Sequence, residues 1–237
     1  MEPQSRISRA EPDRVEVRGH DLTELMGRLT FTEYFHLLVT GREPTENERF
    51  FLDLLLVAIA EHGLMPSNVA ARMTLAADPE SLQGAVAAGI LGAGSVILGS
   101  AGECARLLDD AGQRGAETVV REIHADGGRV PGFGHPLHKP VDPRAERILA
   151  LADERGVSGP NVALARELHE VVTSVYGKPL TLNVSLPIAA VLLDLGYTSA
   201  MAKAVPILAR TASLLAHLAE ERERPIGFLL AARAVDE

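Results

Sequence analysis

Between residues 130 and 144 the chain reads VPGFGHPLHKPVDPR, and this stretch concentrates the residue types that chemistry needs. Gly132 and Gly134 flank Phe133. Glycine carries no side chain and tolerates positive φ, so backbone built this way can approach a ligand closely. His135 then presents an imidazole, a group able to give or take a proton near neutral pH. Lys139 and Arg144 follow, and together they make a local cationic site for carboxylate or phosphate; arginine can bind a carboxylate bidentately. A basic turn closed by Asp142-Pro143, with no chemistry of its own, stands as the alternative.

The chain has eight histidines. His62 and His135 stand apart, because each lies at a helix end or in a Gly/Pro-rich loop, where a side chain can point into a cleft. His36, His124, His169 and His217 fall inside helical patterns and read as surface or packing residues. His20 and His138 are undecided. The single cysteine, Cys104, forms no intramolecular disulfide or thiolate zinc cluster and reads as a small buried apolar residue. Glu103 reads as a solvated helix-start glutamate, with a replacement acid as the alternative. The glycines at 92–99 are not a dinucleotide site, since no strand precedes them. No metal site is expected.

The elements that must position these residues are helical. Hydrophobic residues make up 46% of the chain, but aromatics only 4%; that mixture suits helices packed through small side chains rather than a β-sandwich. Residues 1–17 predict an irregular tail or short strand. Leu22, Leu25, Met26 and Leu29 repeat at helical spacing after a cap at Asp21, and 32–38 continues helical. Further helices are expected over 46–62, 67–76, the small-residue run 84–102, and 103–125. The segment 129–142 is a loop, and Asp142-Pro143 opens the next helix. Helices at 161–176, 185–195, 198–204 and 205–224 follow, with 178–183 as an extended connector. The reading is all-α. A net charge of −9 argues against nucleic-acid or anionic-membrane partners. The polar start predicts no secretory signal, and the run 84–102 is too glycine-rich for a membrane span, so a cytoplasmic protein is expected.

GFGHPLHKPVDPRA (132–145) resembles the signature of citrate synthases, in which a Gly-x-Gly-His loop is followed by a basic residue and Asp-Pro-Arg. Other segments agree in order along the chain: residues 18–48, His62-Gly-Leu-Met-Pro-Ser67, Lys178-Pro-Leu-Thr-Leu-Asn183-Val184, and Leu208-Ala-Arg210 through His217. The resemblance covers roughly 15–228 and is greatest to the short citryl-CoA lyase and citrate synthase-like group. It implies a helical citrate synthase-like fold: a large domain from 1–103 and 185–237, and a small domain over 104–184 carrying the GFGH loop. It implies that His135 is catalytic, handling the proton on the oxaloacetate carbonyl or the citryl-CoA alcohol. His62, Arg144 and Arg210 would bind carboxylates. Pro131, Gly132, Phe133, Gly134, Lys139, Lys178 and Asn183 would meet coenzyme A, which enters as part of the substrate; no tightly bound cofactor is implied. A homodimer is expected, with small residues of 84–102 at its interface.

Two departures from the family pattern shape the functional expectation. Leu98 stands where the family has an enolate-stabilising histidine, and Ser185 stands where it has the aspartate that deprotonates the acetyl methyl group. A serine hydroxyl is far too weakly acidic to act as an unassisted base. Efficient citrate synthesis is therefore not expected. The expected activity is cleavage of citryl-CoA, or a related 3-hydroxy-3-carboxyacyl-CoA, to acetyl-CoA and oxaloacetate, with Ser185 or backbone N–H groups of 99–102 as candidate enolate donors. The alternatives are carbon–carbon chemistry on another acyl-CoA, and a catalytically impaired paralogue binding CoA or a dicarboxylate.

Overall fold

A computed structural model describes residues 5–94, 96–135 and 137–233. Parts of three expected segments lie outside that range: residues 1–4 of the tail, Ser95 of the small-residue run, and Pro136 of the GFGH loop. The chain divides into two compact units, Met1–Leu54 and Leu55–Glu237.

In the first unit the expected tail contains two short strands, β1 (Ser8–Ala10) and β2 (Val15–Val17), which with β3 (His20–Asp21) make an antiparallel sheet in sequential order. Ser8 pairs with Val17 and Val17 with His20. The expected helical stretch from 22 to 38 is two helices. Helix α1 (Leu22–Leu25) stops before Gly27, which adopts φ +79°, and α2 (Phe31–Thr40) restarts behind a reciprocal cap between Thr30 and Glu33. Val17, Leu25 and Leu37 form the buried cluster. Thr45 and Glu48 repeat the reciprocal cap at the start of α3 (Glu46–Ala60). Hydrogen bonds from Arg42 and Thr45 outweigh burial and hold the Glu48 carboxyl at about 2.

The second unit is helical: α4 (Pro66–Ala77), α5 (Leu82–Leu91), α6 (Ser100–Arg114), α7 (Ala116–Ala125), α8 (Pro143–Glu154), α9 (Pro160–Tyr176), α10 (Ser185–Asp194), α11 (Ser199–Glu223) and α12 (Gly227–Arg233). The all-α reading holds. Helix α10 is buried along nearly its whole length, from Ser185 to Leu192, as a helix apolar on every side must be. It packs against α6, α8, α9 and α11. A second cluster joins Ala71, Leu75, Ala85, Leu214 and Leu218 from α4, α5 and α11.

Four expected helices are drawn differently. The run 84–102 is interrupted after Leu91 and resumes at Ser100, because glycines 92, 94 and 99 give the helix little propensity to continue. The stretch 103–125 breaks at Gly115, which takes φ +87°. Residues 199–223 form one helix despite Pro206, whose neighbours Ala202, Val205 and Ala209 are buried on one face; that burial outweighs the lost backbone bond. Helix α12 was not expected at all. The expected domain boundary at 103/104 lies inside α6, and that at 184/185 coincides with the start of α10.

Helix α9 has glycine at its N-cap and no cap of its own. The carboxylate of Asp194, at the end of α10, accepts from the N–H groups of Gly159, Asn161 and Val162, each at 2.9 Å. The cap thus comes from another helix and ties α9 to α10. Asp194→Ala is expected to lower the unfolding free energy by about 1–3 kcal/mol in urea titrations, with little change in ligand binding.

Candidate active site

Among its described residues the segment 129–142 has no helix or named strand, so its shape must be imposed from outside. Gly134 N–H donates to Thr181 O at 2.7 Å, Asn183 N–H donates to Gly132 O at 2.9 Å, and Phe133 and Leu182 form an antiparallel bridge. Gly132 has φ +86°, and a Cβ there would meet Leu186 Cβ at 2.7 Å and Cys104 Sγ at 3.1 Å. Only glycine fits both the angle and the space. Cys104 is fully buried, and desolvation pushes its thiol well above the ordinary range, so it is a packing residue.

Asp142 fixes the other end of the segment. It is fully buried, caps α8, accepts from Arg144 N and Nε at 3.0 Å and Nη2 at 2.9 Å, and accepts from Val184 N–H at 3.1 Å. Burial opposes its charge, but the Arg144 guanidinium and the N–H donors hold the carboxyl below its usual range. Arg144 is therefore pre-oriented by a carboxylate of its own chain.

Within this frame three imidazoles gather. The rings of His62 and His135 lie edge to face, centroids 5.4 Å apart; His138 is 4.3 Å from His135 and 5.5 Å from His62. His135 Nδ1 accepts the N–H groups of Leu137 at 3.1 Å and His138 at 2.9 Å. A neutral ring held this way carries its proton on Nε2, so His135 faces the site as a donor. Burial first, then Arg144 and Arg210, shifts His62 down; burial first, then His138, shifts His135 down. Both are thereby shifted toward the neutral form.

One ring nitrogen from each of His62, His135 and His138 lies within 4.8 Å of the other two, a spacing that could suit a metal. A metal needs a lone pair from every ligand. The Nδ1 lone pair of His135 is taken by two backbone N–H groups and its Nε2 bears the proton, so this donor set does not fit a metal as arranged.

Arg210, on α11, is 2% exposed; Nη1 donates to Asn68 Oδ1 at 3.2 Å, while Nε has no hydrogen-bond partner among the described residues. His62 Nε2 is likewise buried and without a partner among the described residues. Behind them lies a polar network that sequence reasoning missed. Glu61 accepts the backbone N–H groups of His62 at 2.9 Å and Gly63 at 2.5 Å. It also accepts from Ser213 and, at 3.0 Å, from His217 Nε2. Burial opposes the Glu61 charge, but Ser213 and His217 outweigh it and lower its pKa. His217 Nδ1 in turn accepts from Arg72, which is buried and paired with Glu220 and Glu221. His217, expected to be a packing or surface residue, is a link in this network.

Ser185 and Ser100 stand at the first positions of α10 and α6, their Oγ atoms 2.7 Å apart. Leu98 is buried, with the left-handed φ of +65°. Asn183 spends its side chain on the protein: Nδ2 donates to Gly134 O at 3.0 Å and Oδ1 accepts Ser185 N–H at 3.0 Å. It shapes the loop. Pro131 and Phe133 are half-buried, and Gly134, Lys139 and Lys178 are exposed along the same segments.

Residues 42–227 match the family model described as citrate synthase, C-terminal domain. The chain belongs to the citrate synthase family. A Mycobacterium tuberculosis protein carrying the name "Putative citrate synthase 2" is 32% identical over 187 residues, covering 76% of this chain and 49% of that protein. Citrate synthase of Heyndrickxia coagulans is 29% identical over 200 residues, covering 82% of this chain and 53% of the relative. The chain thus spans about half the length of these curated relatives. Among solved structures, citryl-CoA lyase from Hydrogenobacter thermophilus superposes with a TM-score of 0.86 and 31% identity, covering 93% of this chain and 87% of that one. An ATP citrate lyase from Methanothrix soehngenii, in complex with citrate and coenzyme A, shares the fold at TM-score 0.82 and 21% identity. Among the described residues no helix is long and apolar enough to cross a membrane.

Within the family frame, Arg144 acts on both His62 and His135, Arg210 acts on His62, and His138, left undecided by the sequence, acts on both rings. A signal was available: His138 lies three residues after His135, close enough for a tight turn to return it. His62 and His135 bind fewer protons folded than unfolded below pH about 6.5. Their contribution to stability is therefore complete above that pH and is lost as pH falls toward their lowered folded values. The urea midpoint is expected to drop between pH 7 and 5, and His62→Gln together with His135→Gln to flatten that slope.

Proposed function

We propose that the protein is a citryl-CoA lyase-like enzyme, cleaving citryl-CoA or a related 3-hydroxy-3-carboxyacyl-CoA to acetyl-CoA and oxaloacetate. The observation that carries this reading is a pair of buried, unpartnered polar atoms, His62 Nε2 and Arg210 Nε, in one electrostatic group with the His135 donor. Buried polar groups are almost always hydrogen-bonded, so these await a polar ligand, and a carboxylate satisfies the Arg210 donor. Arg144, oriented by Asp142, supplies a second cation. A hydroxyl or carbonyl oxygen fits against His135 Nε2–H, which makes His135 the proton-transfer group of the oxaloacetate half. The similarity to a citryl-CoA lyase supports the direction.

The acyl half argues for cleavage over synthesis. Deprotonating a thioester methyl group needs a base and an oxyanion stabiliser. Ser185, in place of a carboxylate, is engaged with Ser100. Two hydroxyls at helix starts can donate to an enolate oxygen, where the helix N-termini favour negative charge, but they do not make a base. The exposed Lys139 and Lys178 with the backbone of 131–134 would meet coenzyme A, and Asn183 would hold that backbone. Residues 104–184 would act as the small, CoA-facing domain. A second copy of the chain would pair through the region 84–102, where Leu91 and Val96 are 86% and 85% exposed.

Incubation with synthetic citryl-CoA, with oxaloacetate followed by malate dehydrogenase and NADH, is expected to show turnover that His135→Ala abolishes. No turnover above background, with CoA binding retained in calorimetry, would sink the lyase reading and leave a CoA-binding paralogue. Ser185→Asp is expected to raise exchange of acetyl-CoA methyl protons with deuterated water by at least about tenfold, since it restores a base; an unchanged rate would mean that Ser185 is not where enolisation is limited.

A further inference from the structure

The two arginines of the site are held by opposite kinds of partner. Arg144 is gripped by the Asp142 carboxylate through Nε and Nη2, so its charge is already matched within the chain. Arg210 is seated on neutral groups. Among the described residues both of its hydrogen bonds leave from Nη1, to Asn68 Oδ1 at 3.2 Å and Ser213 Oγ at 3.5 Å. Glu61 is the carboxylate whose charge it feels. The Ser213 hydroxyl stands between them, accepting from Arg210 and donating to Glu61. Asn68 is the main seat. It is fully buried, in the first turn of α4. Its Nδ2 donates to Gly63 O at 2.7 Å and stands 2.8 Å from His217 Nε2. That fixes the orientation of the amide and leaves Oδ1 as the acceptor facing Arg210. A guanidinium is a rigid planar fork, so holding Nη1 from two sides restricts where Nε points, and Nε has no partner among the described residues. One side chain thereby joins the turn that carries His62 to a guanidinium 142 positions away.

We propose that Asn68 is a positioning residue for substrate binding: its neutral acceptor orients Arg210 without compensating it, so the guanidinium meets a ligand carboxylate at full charge. The assignment rests on that part of the lyase reading which gives Arg210 a carboxylate to bind. What matters is that residue 68 is an amide and not an acid. An aspartate there would offer the same shape and reach, but it would pair with Arg210 as Asp142 pairs with Arg144. An incoming carboxylate would then share one cation with a fixed anion and be repelled by it. A carboxylate also lacks the donor that Gly63 O uses. Asn68 thus acts through Arg210 and the His62 turn, and it sets the preference of the site for an anionic group.

The test compares wild type with Asn68→Asp and Asn68→Ala. Calorimetry reads the affinity for oxaloacetate, for citrate and, as a control, for coenzyme A. Steady-state cleavage of citryl-CoA separates kcat from KM, and thermal melts check folding. We expect Asn68→Asp to weaken oxaloacetate and citrate about 10- to 100-fold and to raise the citryl-CoA KM more than it lowers kcat, with coenzyme A affinity retained. Asn68→Ala removes the seat but adds no charge, so it is expected to weaken the same two ligands less, by about 3- to 10-fold. A side chain with a merely structural role would weaken all three ligands together, in step with a fall in melting temperature. Unchanged oxaloacetate and citrate affinity in Asn68→Asp, equal losses in the two variants, or losses shared by coenzyme A would overturn the assignment and leave the lyase reading in place. If Asn68→Asp does not fold, Asn68→Ala decides: weaker carboxylate binding with coenzyme A binding kept supports the seat, and no loss overturns it. Wild type that shows this order of losses but does not cleave citryl-CoA would overturn the lyase reading and keep the assignment. Wild type that binds neither oxaloacetate nor citrate would overturn the assignment.

Discussion

The site depends on one carboxylate taken out of water. Asp142 has no exposed surface, yet it caps a helix, grips Arg144 at two points and accepts the N–H of Val184. A buried carboxylate is tolerable only when its charge is paired and its lone pairs are used. Those same bonds join the end of the GFGH segment to the start of α10 and set the direction of Arg144. Pairing of residues 132–134 with 181–183 then completes a structure that has no periodicity of its own.

Charge is distributed with equal economy. Burial first, then Arg144 and, at His62, also Arg210, shifts the imidazoles toward the neutral form, and burial lowers the Arg210 pKa itself against the pull of Glu61. Neutral rings keep one donor and one acceptor each, the mixed inventory that an alcohol–ketone interconversion requires. Charged rings would all be donors. The Glu61–His217–Arg72 network supports this arrangement from behind by anchoring the backbone at His62 and Gly63.

Much of this was visible in the residues. His62, the pair His135 and Arg144, and Arg210 lie in three separate stretches, and the resemblance of those stretches to citrate synthases is what groups them. The helical fold followed from composition and apolar spacing. What stayed hidden was carried by partners far apart in the chain. Asn68 and Arg72 meet His217 across more than 140 residues, and Asp194 caps a helix that begins 34 positions earlier; no local pattern marks either. The helix breaks near Gly92 and at Gly115 were misread for a different reason. A glycine in a helix costs only about 1 kcal/mol, so whether it interrupts depends on how much burial the continuing turn would gain.

Leu98 gives the site a history written in its backbone. A leucine at φ +65° occupies a conformation that β-carbon sterics disfavour by roughly 1–2 kcal/mol, and that asparagine, aspartate and histidine enter far more readily. The main chain there keeps a shape made for a different class of side chain, while the apolar side chain present is buried. The position is therefore an open door in sequence space: a polar residue arriving at 98 would meet no backbone barrier.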